Sequence, residues 1–161
     1  EMFEKSTYPA PLAADAPELS GTLNGRPFHS LSDEDSRIGA RVEAFGAGDY
    51  FWIPFAQIEA IVIEPPKRLR DLLWIPARVT TAPEFQQREL GEVLMPALSP
   101  LTFRHPDANV RLGRASEWCA DEAGGEQPYG LKMLLVDGEP FPILEIRQLD
   151  IHRTPPAGAA S

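Results

Sequence analysis

The stretch YFWIPFAQIEAIVIEPPKRLRDLLW, Tyr50 to Trp74, decides how this chain is read. Its first run, Tyr50-Phe51-Trp52-Ile53, is aromatic and β-branched, which suits a strand, and Pro54 ends it. A short polar-apolar segment, Phe55 to Ile58, follows. Ile61-Val62-Ile63 reads as a second strand, closed by Pro65-Pro66. Leu69, Leu72 and Leu73 then stand at i, i+3 and i+4, so they share one face of a helical turn that Pro76 stops. The local order is strand, turn, strand, helical turn. It is a core-building unit without a recognisable catalytic motif.

The rest of the chain agrees with short elements. With 161 residues the length fits one domain with a real core. Apolar residues make up 43% and charged residues 24%, near globular averages, which argues against wholesale disorder. Seventeen prolines are too many for long helices and imply frequent turns. The net charge of −9 disfavours nucleic acid or an anionic membrane as partner and would suit a basic protein. A lone cysteine, Cys119, forms no internal disulfide, and no signal peptide or membrane-length apolar run is present. The expected location is the cytoplasm.

Three segments are expected along the chain. Residues 1–18 read as a helix end followed by a Pro-rich linker, residues 19–153 as one β-rich domain, and residues 154–161 as a disordered tail. Asn24-Gly25 marks a hairpin, and Arg41 to Ile53 reads as another, turning at Gly46 to Asp49. Ser32 or Asp33 is placed to cap a short helix toward Ile38. Strands are expected at Pro76–Thr81, Gly91–Met95 and Leu131–Val136, with a long strand at Ile143–Ile151 after an Asp137-Gly138 turn. Ala82–Arg88 reads as a polar excursion, Ala120–Pro128 as a loop, and Ala108–Trp118 is open between strand and helix. No internal repeat is evident. The predicted fold class is α+β and mainly antiparallel β: a compact barrel-like or sandwich-like sheet with one to three short helices.

Candidate chemistry is thin. Asp33, Glu34 and Asp35 could hold a cation, but they lack the spacing of a calcium loop and read first as a solvated turn or helix cap. His29, His105 and His152 are scattered, so a zinc site with Cys119 would need the fold to assemble it. Phosphate-binding, dinucleotide-binding and serine-hydrolase motifs are absent. No catalytic, cofactor-binding or metal residue is therefore assigned, and no cofactor is expected. Arg37, Arg68, Arg70, Arg111, Arg114 and Arg147 beside acidic neighbours suit intradomain ion pairs or a docking surface. Trp52, Phe55, Leu72 and Trp74 are the candidate partner-binding residues, with plain core packing as the competing reading.

Five motifs in order resemble one family. They are Gly21-Thr22-Leu23-Asn24-Gly25-Arg26-Pro27-Phe28, Asp33 to Gly39, the Trp52-to-Trp74 run, Arg111 to Trp118, and Leu144 to Arg147. Together they resemble the C-terminal half of the ImpE/TagJ (SciE-type) family, accessory proteins of bacterial type VI secretion, over residues 20 to 151. The family carries a helical, repeat-like domain ahead of this part, so the chain, which begins at Glu1, is expected to be a fragment. The resemblance implies a non-catalytic adaptor. Its expected partners are the small subunit of the contractile sheath, through that subunit's N-terminal helix, and the hexameric ATPase that recycles the sheath. Two other readings remain at this point: a small-ligand or enzymatic β-barrel domain using Glu145, Arg147 or Asp71, and a self-associating domain of unknown oligomeric state.

Overall fold

The computed structural model describes residues 19–83 and 90–152. The expected helix end and linker at 1–18, the tail at 154–161, and most of the 82–88 excursion lie outside those residues.

Thirteen strands are described. An eight-stranded antiparallel sheet is built from β1 (Ser20–Leu23), β2 (Arg26–Phe28), β4 (Arg41–Gly46), β5 (Asp49–Pro54), β6 (Ile58–Ile63), β7 (Trp74–Thr81), β8 (Gly91–Pro96) and β13 (Gln148–His152). Its order is β2-β1-β13-β6-β7-β8-β4-β5. A three-stranded sheet joins β3 (Leu31–Asp33), β11 (Met133–Val136) and β12 (Glu139–Pro142). β9 (Ser116–Ala120) pairs with β10 (Glu126–Gly130) beside the short helix α1 (Ala108–Arg111). Four 3-10 turns are described, at Phe55–Gln57, Leu69–Leu72, Thr102–Arg104 and Ile143–Glu145. The main sheet is open, not closed into a barrel: β2 and β5 are its two ends.

Local chemistry explains the hairpins. Asn24-Gly25, Ala47-Gly48 and Asp137-Gly138 all hold both central residues at positive φ, the geometry that matches strand twist in a two-residue turn. Alternation explains the strands: in β7, Ile75, Ala77 and Val79 are buried while Trp74, Pro76 and Arg78 are exposed. β2 and β3 behave as one strand with a corner. The Asp137 carboxylate accepts from the backbone N–H of His29 (2.7 Å) and Ser30 (2.9 Å), pinning the corner to the β11–β12 turn.

The chain also contains a structural repeat that the sequence reading did not find, spread over both sheets. β4, β5, the 55–57 turn and β6 match β11, β12, the 143–145 turn and β13. Pro54 and Pro142 both end a strand and open a 3-10 turn, at φ −58° and −62°. In each copy the next residue is buried (Phe55, Ile143), and so is the residue that leaves the turn (Ile58, Ile146). Ile61 and Leu149, at matching distances past their prolines, face each other in the β6–β13 pair. The flanking pairs Val62–Gln148 and Ala60–Asp150 exchange under a local two-fold axis through that contact. Outside it, β6 is followed by the β7–β8 hairpin and β13 by the β1–β2 hairpin. What is repeated is proline placement and burial, not residue identity.

Several expectations change. Residues 31–37 form β3 and a turn instead of a capped helix, because the Asp33 carboxylate accepts from the Asp35 N–H (2.8 Å) and closes a local loop. Ala108–Trp118 holds both a helix and the start of a strand, and of the loop expected at 120–128 only 121–125 is the turn of the β9–β10 hairpin, since Glu126, Gln127 and Pro128 pair with Ala120, Cys119 and Trp118. The single strand expected at 143–151 is broken by the proline-led turn. At 69–72, Leu69 and Leu72 face solvent. In a 3-10 turn residues at i and i+3 eclipse, and here that side is the outer one because the Asp71 carboxylate is turned in, accepting from the N–H of Lys67 and Arg68.

The two buried turn exits should be equally important to the fold. Ile58→Ala and Ile146→Ala are each expected to cost about 2–5 kcal/mol in urea unfolding, the cost of a core cavity.

Candidate partner-binding face and a buried charge cluster

Strand β4 reads Arg-Val-Glu-Ala-Phe-Gly, and its alternation puts Val42 and Ala44 in the core. Glu43 and Phe45 therefore share the opposite side. Their surroundings differ. Glu43 is buried under Lys132, just before β11, and Asp33, at the end of β3. The Lys132 ammonium lies 2.7 Å from Asp33 Oδ2 and 2.7 Å from Glu43 Oε1, and all three side chains are nearly inaccessible. One cation thus serves two carboxylates. Burial pushes the Asp33 carboxyl up to about 6, against the opposing pull of the Lys132 ammonium. Burial alone would lower the Lys132 ammonium, but the charges of Asp33 and Glu43 and their hydrogen bonds outweigh it, so it holds its proton more tightly than usual.

The cluster reaches the surface through aromatic side chains. The Tyr50 hydroxyl donates to Glu43 Oε2 and accepts from Trp52 Nε1 (2.7 Å). The Arg41 guanidinium lies 4.6 Å above the Trp52 ring. The Tyr50 ring packs on Phe45 (centroids 4.9 Å apart), and Phe45 meets Trp74 edge-on at 5.2 Å. Across the strands Tyr50 faces Phe45, Phe45 faces Leu94, and Leu94 faces Pro76. Phe45, Tyr50, Trp74 and Leu94 are each roughly two-fifths exposed, at 38%, 42%, 41% and 43%. These side chains are contiguous, so they form one outward apolar row instead of scattered exposed residues.

The predicted partner-binding residues fall in different places. Leu72 and Trp74 are exposed on or beside this face. Trp52 is half-buried and hydrogen-bonded to Tyr50. Phe55 is fully buried in the core, so no partner meets it without unfolding. Sequence reasoning did not single out Phe45, Tyr50 and Leu94 on this face, nor the Glu43 and Lys132 charges buried beneath it. A usable signal existed for Lys132, a single cation inside the apolar run Leu131 to Val136.

The acidic segment 33–35 is not a solvated turn: Asp33 and Asp35 are buried and only Glu34 lies nearer the surface. The Asp35 carboxylate is engaged by Arg37, with Nε at 2.9 Å and Nη2 at 2.5 Å. Glu34 accepts from Trp118 Nε1 at 3.1 Å. Glu145 is exposed, whereas Arg147 donates to the carbonyls of Leu144 and Ile146 and Asp71 closes its own turn, so these last two groups each serve their own loop. Arg111 likewise donates to the carbonyls of His105 and Pro106.

The fold does bring His105, Glu117 and Cys119 together, with ligand atoms within 4.8 Å of one another. The donor set does not fit a metal. His105 Nδ1 accepts from the Asp107 N–H at 3.0 Å, which leaves the ring proton on Nε2, where it donates to Glu117 Oε2 at 2.7 Å. A metal at Nε2 needs the proton on Nδ1, opposite a backbone N–H. His29 and His152 are exposed and belong to other parts of the sheet.

Removing the shared cation should be costly. Lys132→Met strands two buried carboxylates and is expected to lose about 3–5 kcal/mol in chemical unfolding. Asp33 also gives a signed pH dependence. Its folded value of about 6 lies above the 3.8 of the free side chain, so its stabilisation is full below about pH 4 and lost as pH rises through about 6. Comparing the chain with its Asp33→Asn variant from pH 4 to 7, the difference should shift by about 3 kcal/mol, against the parent at the higher pH.

Comparison with known proteins gives the family. The model for the ImpE protein matches residues 25–150. The type VI secretion system accessory component TagJ of Pseudomonas aeruginosa is 33% identical over 139 residues, covering 86% of this chain and 47% of that protein. The crystal structure of protein VPA1032 from Vibrio parahaemolyticus superposes with a TM-score of 0.74 at 26% identity, over 86% of this chain and 50% of that one. The chain thus spans about half the length of the relatives it matches. No helix among the described residues is long and apolar enough to cross a membrane. With its family model matched over most of its length and its fold shared with a solved relative, this chain belongs to the ImpE family.

Proposed function

We propose that this chain is a non-catalytic accessory module of a bacterial type VI secretion system, working in the cytoplasm. It binds the small sheath subunit through that subunit's N-terminal helix and links it to sheath recycling by the hexameric ATPase. Family membership and the relative named as a type VI accessory component support the system. One observation carries the adaptor reading: the outward row of Tyr50, Phe45 and Leu94 with Trp74 beside it, an apolar surface in a chain of net charge −9. Such a surface suits the apolar stripe of an amphipathic helix. Leu72 and Trp74 remain the contact residues expected from sequence, joined by Phe45 and Leu94. His105, Glu117, Asp33, Glu43, Asp35 and Asp71 are engaged in structural hydrogen bonds or ion pairs, which favours binding over catalysis.

Calorimetry with a peptide of the sheath subunit's N-terminal helix tests this. Micromolar or tighter binding is expected, with Trp74→Ala weakening it about tenfold, as for an aromatic anchor. No binding by the folded chain would remove the sheath contact from this chain.

A further inference from the structure

The segment from Leu101 to Arg114 contributes no strand to either large sheet and has no part in the aromatic row. It opens on a strained residue. Leu101 sits at φ 65° and ψ 8°, in the left-handed region that bulky side chains avoid. The residues after it hold it there. The buried Thr102 hydroxyl donates to the Ser99 carbonyl (2.6 Å) and accepts from the Gly130 N–H (2.9 Å). The Arg104 N–H donates to the Leu101 carbonyl at 2.9 Å. With Thr102 turned in, Phe103 is turned out, and its side chain is 71% exposed, well beyond the two-fifths of the aromatic row. The ring adds nothing to the core, yet the turn that displays it is strained and tied down on both sides. Strain kept at such a point is a mark of a contact site.

The charge around the ring has one available sign. From Leu101 to Glu117 the chain carries Arg104, Arg111 and Arg114 against Asp107 and Glu117. Both carboxylates are engaged within the segment: Asp107 accepts from the Asn109 N–H (2.8 Å), and Glu117 accepts from His105 Nε2 (2.7 Å). Arg37, Arg70 and Arg78 are ion-paired, but none of Arg104, Arg111 and Arg114 forms an ion pair among the described residues. The Arg104 guanidinium lies 5.6 Å from the Phe103 ring. Arg111 Nη1 donates to the carbonyls of His105 (2.7 Å) and Pro106 (2.8 Å), which brings that guanidinium back to the end of the same turn. The acidic tip of the β9–β10 hairpin, Asp121 to Glu126, is at the opposite end of that hairpin from Gly130, the residue that meets Thr102.

This corner of the molecule is therefore opposite in sign to a chain of net charge −9. A guanidinium matches a carboxylate through two parallel N–H bonds. A nucleic acid backbone would be repelled by the rest of the chain, and its phosphates offer nothing to the projecting ring. A protein segment supplies both carboxylates and apolar side chains.

We infer that Phe103, flanked by Arg104 and Arg111, is a docking point separate from the Tyr50, Phe45 and Leu94 row, and that it takes an acidic segment of a partner protein, with carboxylates on the guanidinium groups and an apolar side chain against the ring. The inference does not rest on the adaptor reading.

Fluorescence anisotropy with the full chain tests it. The probes are a labelled peptide alternating glutamate with leucine, the same peptide with lysine for glutamate, and a single-stranded DNA of equal length. The overall charge of the chain favours the lysine peptide, so a preference for glutamate reads the local patch. The glutamate peptide should bind about tenfold tighter than either other probe, and the difference should shrink in high salt. Phe103→Ser and Arg104→Glu should each weaken it about tenfold. Both side chains are exposed, and circular dichroism checks that the variants are folded. Trp74→Ala should leave this binding unchanged, which keeps it distinct from the sheath contact. Binding of neither peptide, equal binding of the two, DNA binding as tight as the glutamate peptide, or full affinity in either variant overturns the inference. So does an equal loss in Trp74→Ala, which would move the contact to the aromatic row, or self-association in light scattering that Arg104→Glu abolishes, which would make a second copy the occupant.

Discussion

The Lys132 ammonium holds together parts of the chain that the sheet alone leaves apart. Asp33 lies in the three-stranded sheet and Glu43 in the eight-stranded one, and the same cation touches both. Taking three charges out of water is expensive, and close mutual contact repays that cost only when the geometry is met. The cluster therefore acts on specificity as well as stability. It permits one seating of β3 and β11 against β4, because any slip separates charges that cannot then reach water.

That seating also prepares the surface. Glu43 receives the Tyr50 hydroxyl, Tyr50 receives the Trp52 indole, and the Tyr50 ring backs Phe45. The aromatic row is supported from beneath by hydrogen bonds and laterally by the sheet. Preorganised side chains lose little rotamer freedom when a partner arrives, which favours binding by a small apolar face. The interior and the outer face of β4 are in this sense one construction, with Glu43 and Phe45 two positions apart on the same side of the strand.

Much of the architecture was legible in local sequence. Asn24-Gly25 and Asp137-Gly138 announce their turns because turn geometry depends on the turn residues themselves. The alternation in β7 announces its buried side. Three kinds of information were not local. The Lys132–Asp33 contact joins residues 99 positions apart, and neither residue alone signals the other. The repeat keeps Pro54 and Pro142 and the burial of Phe55 and Ile143 while changing nearly everything else, so comparison of residue identities passes over it. Periodicity told which side chains share a face but not which face is covered. Leu69 and Leu72 thus turned outward while Phe55, grouped with Leu72 and Trp74 as a contact residue, went to the core.

The two-fold arrangement has a consequence for how the chain acquires its structure. β6, the last strand of the first copy, lies between β7 and β13, both from later in the chain. β13, the last strand of the second copy, lies between β6 and β1, both from the first half. Neither copy is a self-sufficient unit, because the closing strand of each pairs with the closing strand of the other. Such non-local pairing raises the loop entropy that must be lost before contacts reward it, and slows folding. During synthesis β6 has no neighbour on its β13 side until Gln148 to His152 has been made, so the centre of the sheet is completed by the last strand of the chain.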